Sequence, residues 1–263
     1  MILDTIINHK RFEVAQAKEA LPLEAVREQA ERALALGGPR KFRASLLKAQ
    51  GVALIAEVKK ASPSKGVIRA DFDPVQLARW YEEGGAAALS VLTDERFFQG
   101  GLDHFDEVRR STSLAMLRKE FVIDPYQVYE AKAHGADAVL LIVAALEPEL
   151  LKELHALILA LEMDALVEVH TEEELKVALD LGADLIGINN RDLKTFHTTL
   201  DVSRRLVPQI PPGPAIVSES GIACWEDVEA VEAIGVHAVL VGEALAREEN
   251  VKAKVQELVG RTA

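Results

Sequence analysis

Pairs of charged residues follow short apolar stretches of this sequence. In "LIAEVKKASPSKG", residues 54–66, Glu57 and Lys59 lie two positions apart at the end of an apolar run. Side chains alternate between the two faces of a strand, so this spacing places the carboxylate and the ammonium group on one face. A carboxylate can position an ammonium group there for proton transfer or for binding an anion. The stretch therefore predicts a strand that ends in a functional site.

The same alternation ends four further apolar stretches with polar side chains. These side chains are Lys119, Glu168, Asn189 with Arg191, and Glu219. Together with Glu57 and Lys59 they include three carboxylates and three cations. An unpaired buried ion costs several kcal/mol, so six charged groups in one cavity must largely neutralise one another or a ligand. A structural ion-pair network is the alternative, but it does not explain why the charges stand only at strand ends.

The elements that would position these residues follow a repeated pattern. Four stretches each place a glycine and a small residue before a short apolar strand: "GGAAALSVL" from Gly84, "HGADAVLLIV" from His134, "LGADLIGIN" from Leu181 and "IGVHAVLVG" from Ile234. They recur about 50 residues apart, which leaves room for two β-α units in each interval. Intervening strands are predicted at residues 51–59, 113–121, 163–170 and 214–220. The sequence thus predicts eight strands.

Helices are predicted between the strands. Asp73-Pro74, Asp124-Pro125 and Glu147-Pro148 place proline in a first helical turn, and Thr171 with Glu174 matches a capping box. Eight alternating units of buried parallel strands and helices predict an α/β fold, a closed (β/α)8 TIM barrel. A doubly wound open sheet is the alternative, but no GxGxxG motif follows the first strand. In a barrel the active site lies at the carboxyl ends of the strands, where the charged residues stand.

Residues 1–48 precede the first strand and show the apolar spacing of two or three helices. Since no Pro, Gly or Ser linker separates them from the barrel, we expect residues 1–263 to form a single (β/α)8 barrel domain with residues 1–48 as an N-terminal helical extension. The extension is expected to cap one end of the barrel. It would either fold over bound ligand or serve as a structural plug.

A phosphate site is predicted after the seventh and eighth strands. There, "SESGI" (residues 218–222) contains Gly221, and "VLVGEAL" (residues 239–245) contains Gly242. Barrels commonly bind phosphate with backbone N–H groups at this position. In a closed barrel Lys59 and Ser62 would lie beside both glycines, which strengthens this interpretation.

Composition limits the classes of partner and location. The formal net charge of −12 argues against nucleic acid or an anionic membrane as a partner. No apolar run is long enough for a membrane span, and the first residues lack a signal-peptide pattern, so a cytoplasmic protein is expected. The single cysteine, Cys224, has no neighbours at metal-ligand spacing, and no metal site is predicted. Few asparagines beside many Glu and Arg favour a thermophilic source.

Six motifs together resemble indole-3-glycerol phosphate synthase of tryptophan biosynthesis: "IAEVKKASPSKG", "LRKEF", "VLLIV", "LVEVH", "GINNRDL" and "SESGI". The resemblance runs in order from about residue 40 to about residue 250. Two positions depart from the usual pattern. Glu120 stands where Asp is usual, on the face opposite Lys119, and Glu243 stands where many members have Ser.

The resemblance implies a carboxy-lyase that needs no cofactor. Its reaction closes the ring of 1-(2-carboxyphenylamino)-1-deoxyribulose 5-phosphate, with loss of carbon dioxide and water. By the match, Lys119 would protonate the carbonyl during ring closure, and Glu168 would be the general base or stabilise the cationic intermediate. Lys59, held by Glu57, would bind an anionic part of the substrate and act in dehydration. We expect neighbouring cations and burial to lower the pKa of Lys119.

The remaining site residues implied by the resemblance fall into three groups. Substrate hydroxyls, the carboxylate and the catalytic lysine would be oriented by Asn189, Arg191, Glu219 and Ser220. The phosphate would be bound by Lys59, Ser62, Gly221, Gly242 and the backbone of Glu243. An apolar wall around the anthranilate ring is expected from Phe97, Phe98, Phe121, Leu140 and Leu193.

Two other functions remain open at this point. One is another phosphosugar-binding barrel such as phosphoribosylanthranilate isomerase, which would use Cys/Asp or Asp/Asp pairs instead of Glu57 and Lys59. The other is a non-catalytic subunit that binds a phosphate ligand. The expected partner is a small anionic phosphosugar, and the expected assembly is a monomer or a homodimer.

Overall fold

The computed structural model describes residues 2–38 and 40–260. Eight parallel strands close into a barrel in the order β1-β8-β7-β6-β5-β4-β3-β2. The strands are β1 (Ala53–Val58), β2 (Ala88–Leu92), β3 (Ala115–Lys119), β4 (Ala138–Ile142), β5 (Asp164–Val169), β6 (Leu185–Asn189), β7 (Ala215–Glu219) and β8 (Ala238–Val241). The predicted (β/α)8 barrel is confirmed.

Helices alternate with the strands, and three more precede β1. They are α1 (Ile2–Ala20), α2 (Leu23–Leu36), α3 (Phe42–Leu47), α4 (Pro74–Gly84), α5 (Glu95–Phe98), α6 (Leu102–Ser111), α7 (Pro125–Ala133), α8 (Pro148–Ala160), α9 (Glu172–Asp180), α10 (Asp201–Leu206), α11 (Trp225–Glu232), α12 (Glu243–Ala246) and α13 (Val251–Leu258). A short hairpin after β1 pairs Ala61–Ser62 with Gly66–Val67.

Three of the four predicted helix starts, at Asp73, Asp124 and Thr171, have a side-chain cap, whereas Glu147 makes no cap hydrogen bond. Asp73 accepts a hydrogen bond from the backbone of Gln76, and Thr171 accepts one from the backbone of Glu174. These bonds satisfy backbone N–H groups that the first helical turn leaves without partners. At the other end of α4, Gly85 adopts a left-handed conformation with φ 106°, which glycine reaches without strain.

The barrel strands are buried on both faces. Outward-facing residues such as Leu54 and Val91 pack with the surrounding helices, and inward-facing residues such as Ile55 and Leu117 fill the barrel interior. Inward and outward residues alternate along each strand, which is the pattern that predicted buried parallel strands. The inward-facing row leads directly to the charged residues at the carboxyl ends.

The N-terminal segment contacts both ends of the barrel. Phe42 and Leu46 of α3 pack with Ala53 and other residues that begin the strands, so α3 closes the bottom of the barrel. Ile2 and Ile6 of α1 line the cavity at the opposite end. The segment therefore caps one end of the barrel, as expected, and its first helix also lines the opposite end. Helix α2, which packs on α7, connects the two.

Across residues 2–38 and 40–260, no helix combines the length and the apolar character that crossing a membrane requires.

Candidate active site

A cavity of about 960 Å³ opens at the carboxyl ends of the barrel strands. Of the residues predicted for the site, all but Phe97 line this cavity. The parity of side chains along the strands explains this result, since inward-facing positions at strand ends must point into the mouth. Six charged groups from five strands or strand ends meet there, as the sequence predicted: Glu57, Lys59, Lys119, Glu168, Arg191 and Glu219.

Lys119, the last residue of β3, lies between two buried carboxylates. Its Nζ donates to Oε2 of Glu168 at 3.1 Å and to Oε2 of Glu219. Glu168 also accepts a hydrogen bond from Nδ2 of Asn189 at 3.1 Å, and Nε2 of His170 stands 3.3 Å from the same oxygen. These contacts position both the ammonium group and the carboxylate.

The pKa of Lys119 is raised above the usual lysine value. Burial disfavours the charged ammonium group, but the carboxylates of Glu219, Glu168 and Glu57 outweigh burial. The expectation that cations would lower this pKa was wrong, because carboxylates surround Nζ. Lys119 is therefore fully protonated at neutral pH, which is the form that a proton donor needs.

The two carboxylates beside Lys119 have pKa values that are pushed apart. Burial favours the neutral form of Glu168, yet Lys119 and His170 outweigh it and lower the pKa of Glu168. Burial, together with the nearby carboxylates Glu168 and Glu57, raises the pKa of Glu219 to about 7 against the attraction of Lys119. Glu168 is thus a fixed anion, whereas Glu219 can gain or lose a proton near neutral pH.

Lys59 follows β1 and is held by Glu57, as the sequence predicted. The distance from Nζ of Lys59 to Oε1 of Glu57 is 3.1 Å. The same ammonium group lies 5.6 Å from the ring centroid of Phe98, within range of a cation–π contact. The hydroxyl group of Tyr81 donates to the backbone oxygen of Glu57 at 3.3 Å, which links helix α4 to β1.

The loops after β7 and β8 form the side of the cavity where phosphate was predicted. Ser220 and Gly221 have φ values of 63° and 84°, so the chain turns sharply after β7. At Gly242, an added Cβ atom would overlap the carboxylate of Glu57, so only glycine lets β8 approach β1 this closely. Ser62 is buried in the hairpin that faces these loops.

Glu243 contributes a carboxylate to this side of the cavity. Its oxygens lie 3.2 Å from Nη2 of Arg191, 2.9 Å from Nη2 of Arg247 and 3.7 Å from Nζ of Lys65. Arg191 also donates from Nη1 to the hydroxyl oxygen of Ser64 at 2.9 Å. The sequence suggested only a backbone contact at this position, so the side-chain cluster is an additional feature.

Apolar side chains also line the cavity. Phe98, Phe121, Leu140 and Leu193 line it, and the rings of Phe98 and Phe121 are 6.0 Å apart. Phe97 does not line the cavity. Its ring meets the ring of His9 at 5.9 Å, because consecutive residues of the short helix α5 point in different directions.

Known proteins are similar in sequence to this chain over almost its whole length. A sequence model of the family "Indole-3-glycerol phosphate synthase" matches residues 3–258. The chain belongs to the indole-3-glycerol phosphate synthase family. The indole-3-glycerol phosphate synthase of Roseiflexus sp. (strain RS-1) is 52% identical over 267 residues, covering 98% of this chain and 98% of the relative. That of Dehalococcoides mccartyi (strain CBDB1) is 50% identical, covering 98% of this chain and 100% of the relative.

Solved structures agree on the fold. A tryptophan synthase α-subunit from Pyrococcus furiosus has a TM-score of 0.61 at 19% identity, with 81% of this chain and 99% of that chain covered. Thiamine phosphate pyrophosphorylase from the same organism has a TM-score of 0.59 at 21% identity, with 82% and 95% covered. At these identities the likeness concerns the barrel alone. The family suggested by the sequence motifs is confirmed by the sequence relatives.

Two residues at or near the site were not found from the sequence. His170 lies two positions after Glu168, so the alternation rule used for Glu57 and Lys59 was a signal that could have found it. Its imidazole bridges Glu168 and Glu174, at 3.3 Å and 3.0 Å. Lys10 of α1 is buried and pairs with Glu120. Because these two residues are far apart in the sequence, no local pattern predicts this pair.

Proposed function

We propose that Lys119 is the general acid of ring closure in this member of the indole-3-glycerol phosphate synthase family. The family reaction converts 1-(2-carboxyphenylamino)-1-deoxyribulose 5-phosphate to indole-3-glycerol phosphate, carbon dioxide and water. As the aromatic carbon bonds to the ketone carbon, the ketone oxygen takes up a proton. The position of Lys119 supports this role, since its ammonium group is held between Glu168 and Glu219 at the base of the cavity.

Glu168 stabilises the positive charge that ring closure creates. Attack by the aromatic carbon leaves a cation in the ring until carbon dioxide departs, and an ionised carboxylate nearby stabilises that cation. The lowered pKa of Glu168 keeps it ionised, and Asn189 and His170 hold it in place. After decarboxylation the ring hydroxyl leaves as water while a carbon-bound proton is lost, and the ionised Glu168 stabilises the positive charge that develops as the hydroxyl departs.

Glu219 supplies the proton that each turnover consumes. The overall reaction takes up one proton, because the substrate carboxylate leaves as neutral carbon dioxide. Glu219 contacts Nζ of Lys119, and its pKa of about 7 lets it exchange a proton with solvent and pass it on. The family's proton balance and the contact between these two groups support this assignment.

Lys59 binds an anionic part of the substrate, its carboxylate or its phosphate, and acts as an acid in the dehydration step. It lies beside Glu57 on the same cavity wall as Gly242, close to the loops that we assign to the phosphate. Arg191 and Ser220 would orient the carboxylate and hydroxyl groups, and Ser62, Gly221 and the backbone of Gly242 and Glu243 would bind the phosphate. Phe98, Phe121 and Leu140 would pack against the anthranilate ring.

The role of Lys119 is tested by substitution with a matched control. Lys119→Ala should lower kcat by at least about 100-fold, the usual effect of losing a positioned general acid, with product binding changed much less. Lys176→Ala removes an exposed lysine of α9 and should leave kcat unchanged. Indole fluorescence reports both turnover and product binding. Near-normal turnover by Lys119→Ala would show that another group donates the proton.

Lys59→Ala provides the contrast within the site. Because Lys59 is asked both to bind an anion and to donate a proton in dehydration, this variant should raise KM and also slow the second half of the reaction. Single-turnover traces with normal ring closure and delayed indole fluorescence would support the assignment. A variant that is slow only in ring closure would contradict it.

We also propose that residues 1–263 form a single barrel domain that works in the cytoplasm as a monomer or homodimer, on a small anionic phosphosugar. The net charge of −12 speaks against nucleic acid and anionic membranes as partners. Sedimentation of the purified chain should give 28.7 kDa or twice that mass. A larger assembly would contradict this proposal.

A further inference from the structure

The carboxylate of Glu243 is surrounded by cations on the side of the cavity assigned to the phosphate. Arg191 lies in the loop after β6, Arg247 directly follows helix α12, and Lys65 lies in the hairpin after β1. The side chain of Glu243 is 26% exposed and lines the cavity, so it is not buried in the protein core. A carboxylate with two guanidinium groups and an ammonium group around it occupies the kind of site that also suits phosphate.

Glu243 directly follows Gly242, one of the residues assigned to phosphate binding. A phosphate group bound at Gly221 and Gly242 would bring a second negative charge close to this carboxylate. Like charges at such a distance repel, and the same cations are attracted to both groups. The carboxylate and the phosphate therefore compete for Arg247 and Lys65. Repulsion from the phosphate also weakens the contact between Glu243 and Arg191, which we assign to the substrate's carboxylate and hydroxyl groups.

We propose that Glu243 is an internal anion that holds Arg191, Arg247 and Lys65 beside the phosphate site in the free enzyme and releases these cations when a phosphorylated ligand binds. This inference rests on the proposed phosphate site. Glu243 keeps Arg191, Arg247 and Lys65 gathered at the mouth in the absence of ligand. It also weakens the binding of substrate and product, because each must displace it. A weaker hold on the product favours its release.

The direction of a substitution effect distinguishes this role from ordinary ligand binding. Glu243→Gln and Glu243→Ser remove the charge and should tighten the binding of inorganic phosphate and of indole-3-glycerol phosphate by about 5-fold to 10-fold at low salt. Glu249→Gln removes the same charge from an exposed residue six positions further on and should change affinity by less than about twofold. Salt screens charges, so the gain in the Glu243 variants should shrink at 0.5 M NaCl.

Calorimetric titration with inorganic phosphate, and fluorescence titration with the product, measure these affinities on the full chain. Thermal unfolding of each variant shows that it is folded. Weaker or unchanged binding by both Glu243 variants would overturn the proposal, since it would mean that the carboxylate merely orients Arg191 or takes no part.

A third variant separates failure of this inference from failure of the phosphate site. Ser62→Ala should weaken phosphate binding in the wild-type and in the Glu243→Gln background. If Ser62→Ala has no effect and phosphate does not compete with the product, the phosphate site itself is wrong, and the inference falls with it. If Ser62→Ala weakens binding but Glu243→Gln does not tighten it, only the role of Glu243 is refuted.

Discussion

Ion pairs of Lys10 hold helix α1 against the mouth of the barrel. Substitution of Lys10 should therefore destabilise the protein. Nζ of Lys10 lies 2.5 Å from Glu13, 3.0 Å from Asp94 and 2.9 Å from Glu120. The side chains of Lys10, Asp94 and Glu120 are at most 5% exposed. Asp94 also caps α5 through the backbone N–H of Phe97, so the network joins α1, α5 and the end of β3.

Lys10→Met keeps the length and apolar stem of the side chain but leaves two buried carboxylates without their shared cation. Breaking a buried pair by removing one partner costs about 3–5 kcal/mol. Glu120 keeps its hydrogen bond from Thr93 and the nearby charge of Arg118, so we expect the lower end, about 3 kcal/mol. In a chain of this size that corresponds to a fall of roughly 6–12 °C in Tm.

The pH dependence of this loss has a defined sign. Burial and the nearby Glu120 outweigh the attraction of Lys10 and leave the pKa of Asp94 raised even in the wild type. Without Lys10 this pKa rises further, so Asp94 can take up a proton and relieve the unpaired charge as the pH falls. The stability difference between the wild type and Lys10→Met should therefore be large at pH 7 to 8 and smaller near pH 5.

Urea unfolding at several pH values measures this difference, and hydrogen exchange shows whether α1 detaches first. Lys18→Met is the matched control on the same helix, because Lys18 makes one pair with Asp124 and is 39% exposed. Such a surface pair contributes at most about 1 kcal/mol. KM should also rise in Lys10→Met, since Ile2 and Ile6 of α1 line the cavity. Equal stabilities of the two variants would refute the reasoning.

Three further predictions concern the site. Gly187→Ala should lower kcat by about 10-fold or more in a folded protein, because an added Cβ would overlap the carboxylate of Glu219 and displace it from Lys119. Normal kinetics would count against a role for that contact. Burial lowers the pKa of His170, but its partners Glu168 and Glu174 outweigh burial and raise this pKa to about 10. The ion pairs of His170 therefore stabilise the fold fully below about pH 6.5, and this stabilisation is lost as the pH rises toward 10. The difference in unfolding free energy between the wild type and His170→Gln should shrink over that range, and a constant difference would contradict this. Phe121→Ala should raise KM about 10-fold, whereas Phe97→Ala should change KM less than about threefold. Similar effects of the two substitutions would mean that Phe97 also contacts the substrate.

Strand alternation was the most informative property of the sequence. The side-chain period of two assigned Glu57, Lys59, Lys119 and Glu168 to one face of their strands, and barrel closure then brought those faces together. This inference needs only the local pattern and the parallel arrangement, both of which are visible in the sequence.

Other features depend on contacts that no local pattern encodes. The path of the N-terminal segment from the mouth to the bottom of the barrel is set by packing of α2 against α7, far along the chain. Phe97 and Phe98 differ only in how a four-residue helix is rotated. The pKa of Lys119 depends on which charges stand nearest to Nζ, and alternation gives the face of a side chain but not these distances.

The position of Lys119 relative to the reacting oxygen is the central claim, and a crystal structure tests it most directly. The suitable ligand is a substrate analogue in which the ketone is reduced to a hydroxyl group, so that the ring cannot close. The account predicts Nζ of Lys119 within about 3.2 Å of that hydroxyl oxygen, with the phosphate at Gly221 and Gly242. A hydroxyl oxygen that contacts Lys59 instead, with Lys119 turned away toward the two carboxylates alone, would contradict it.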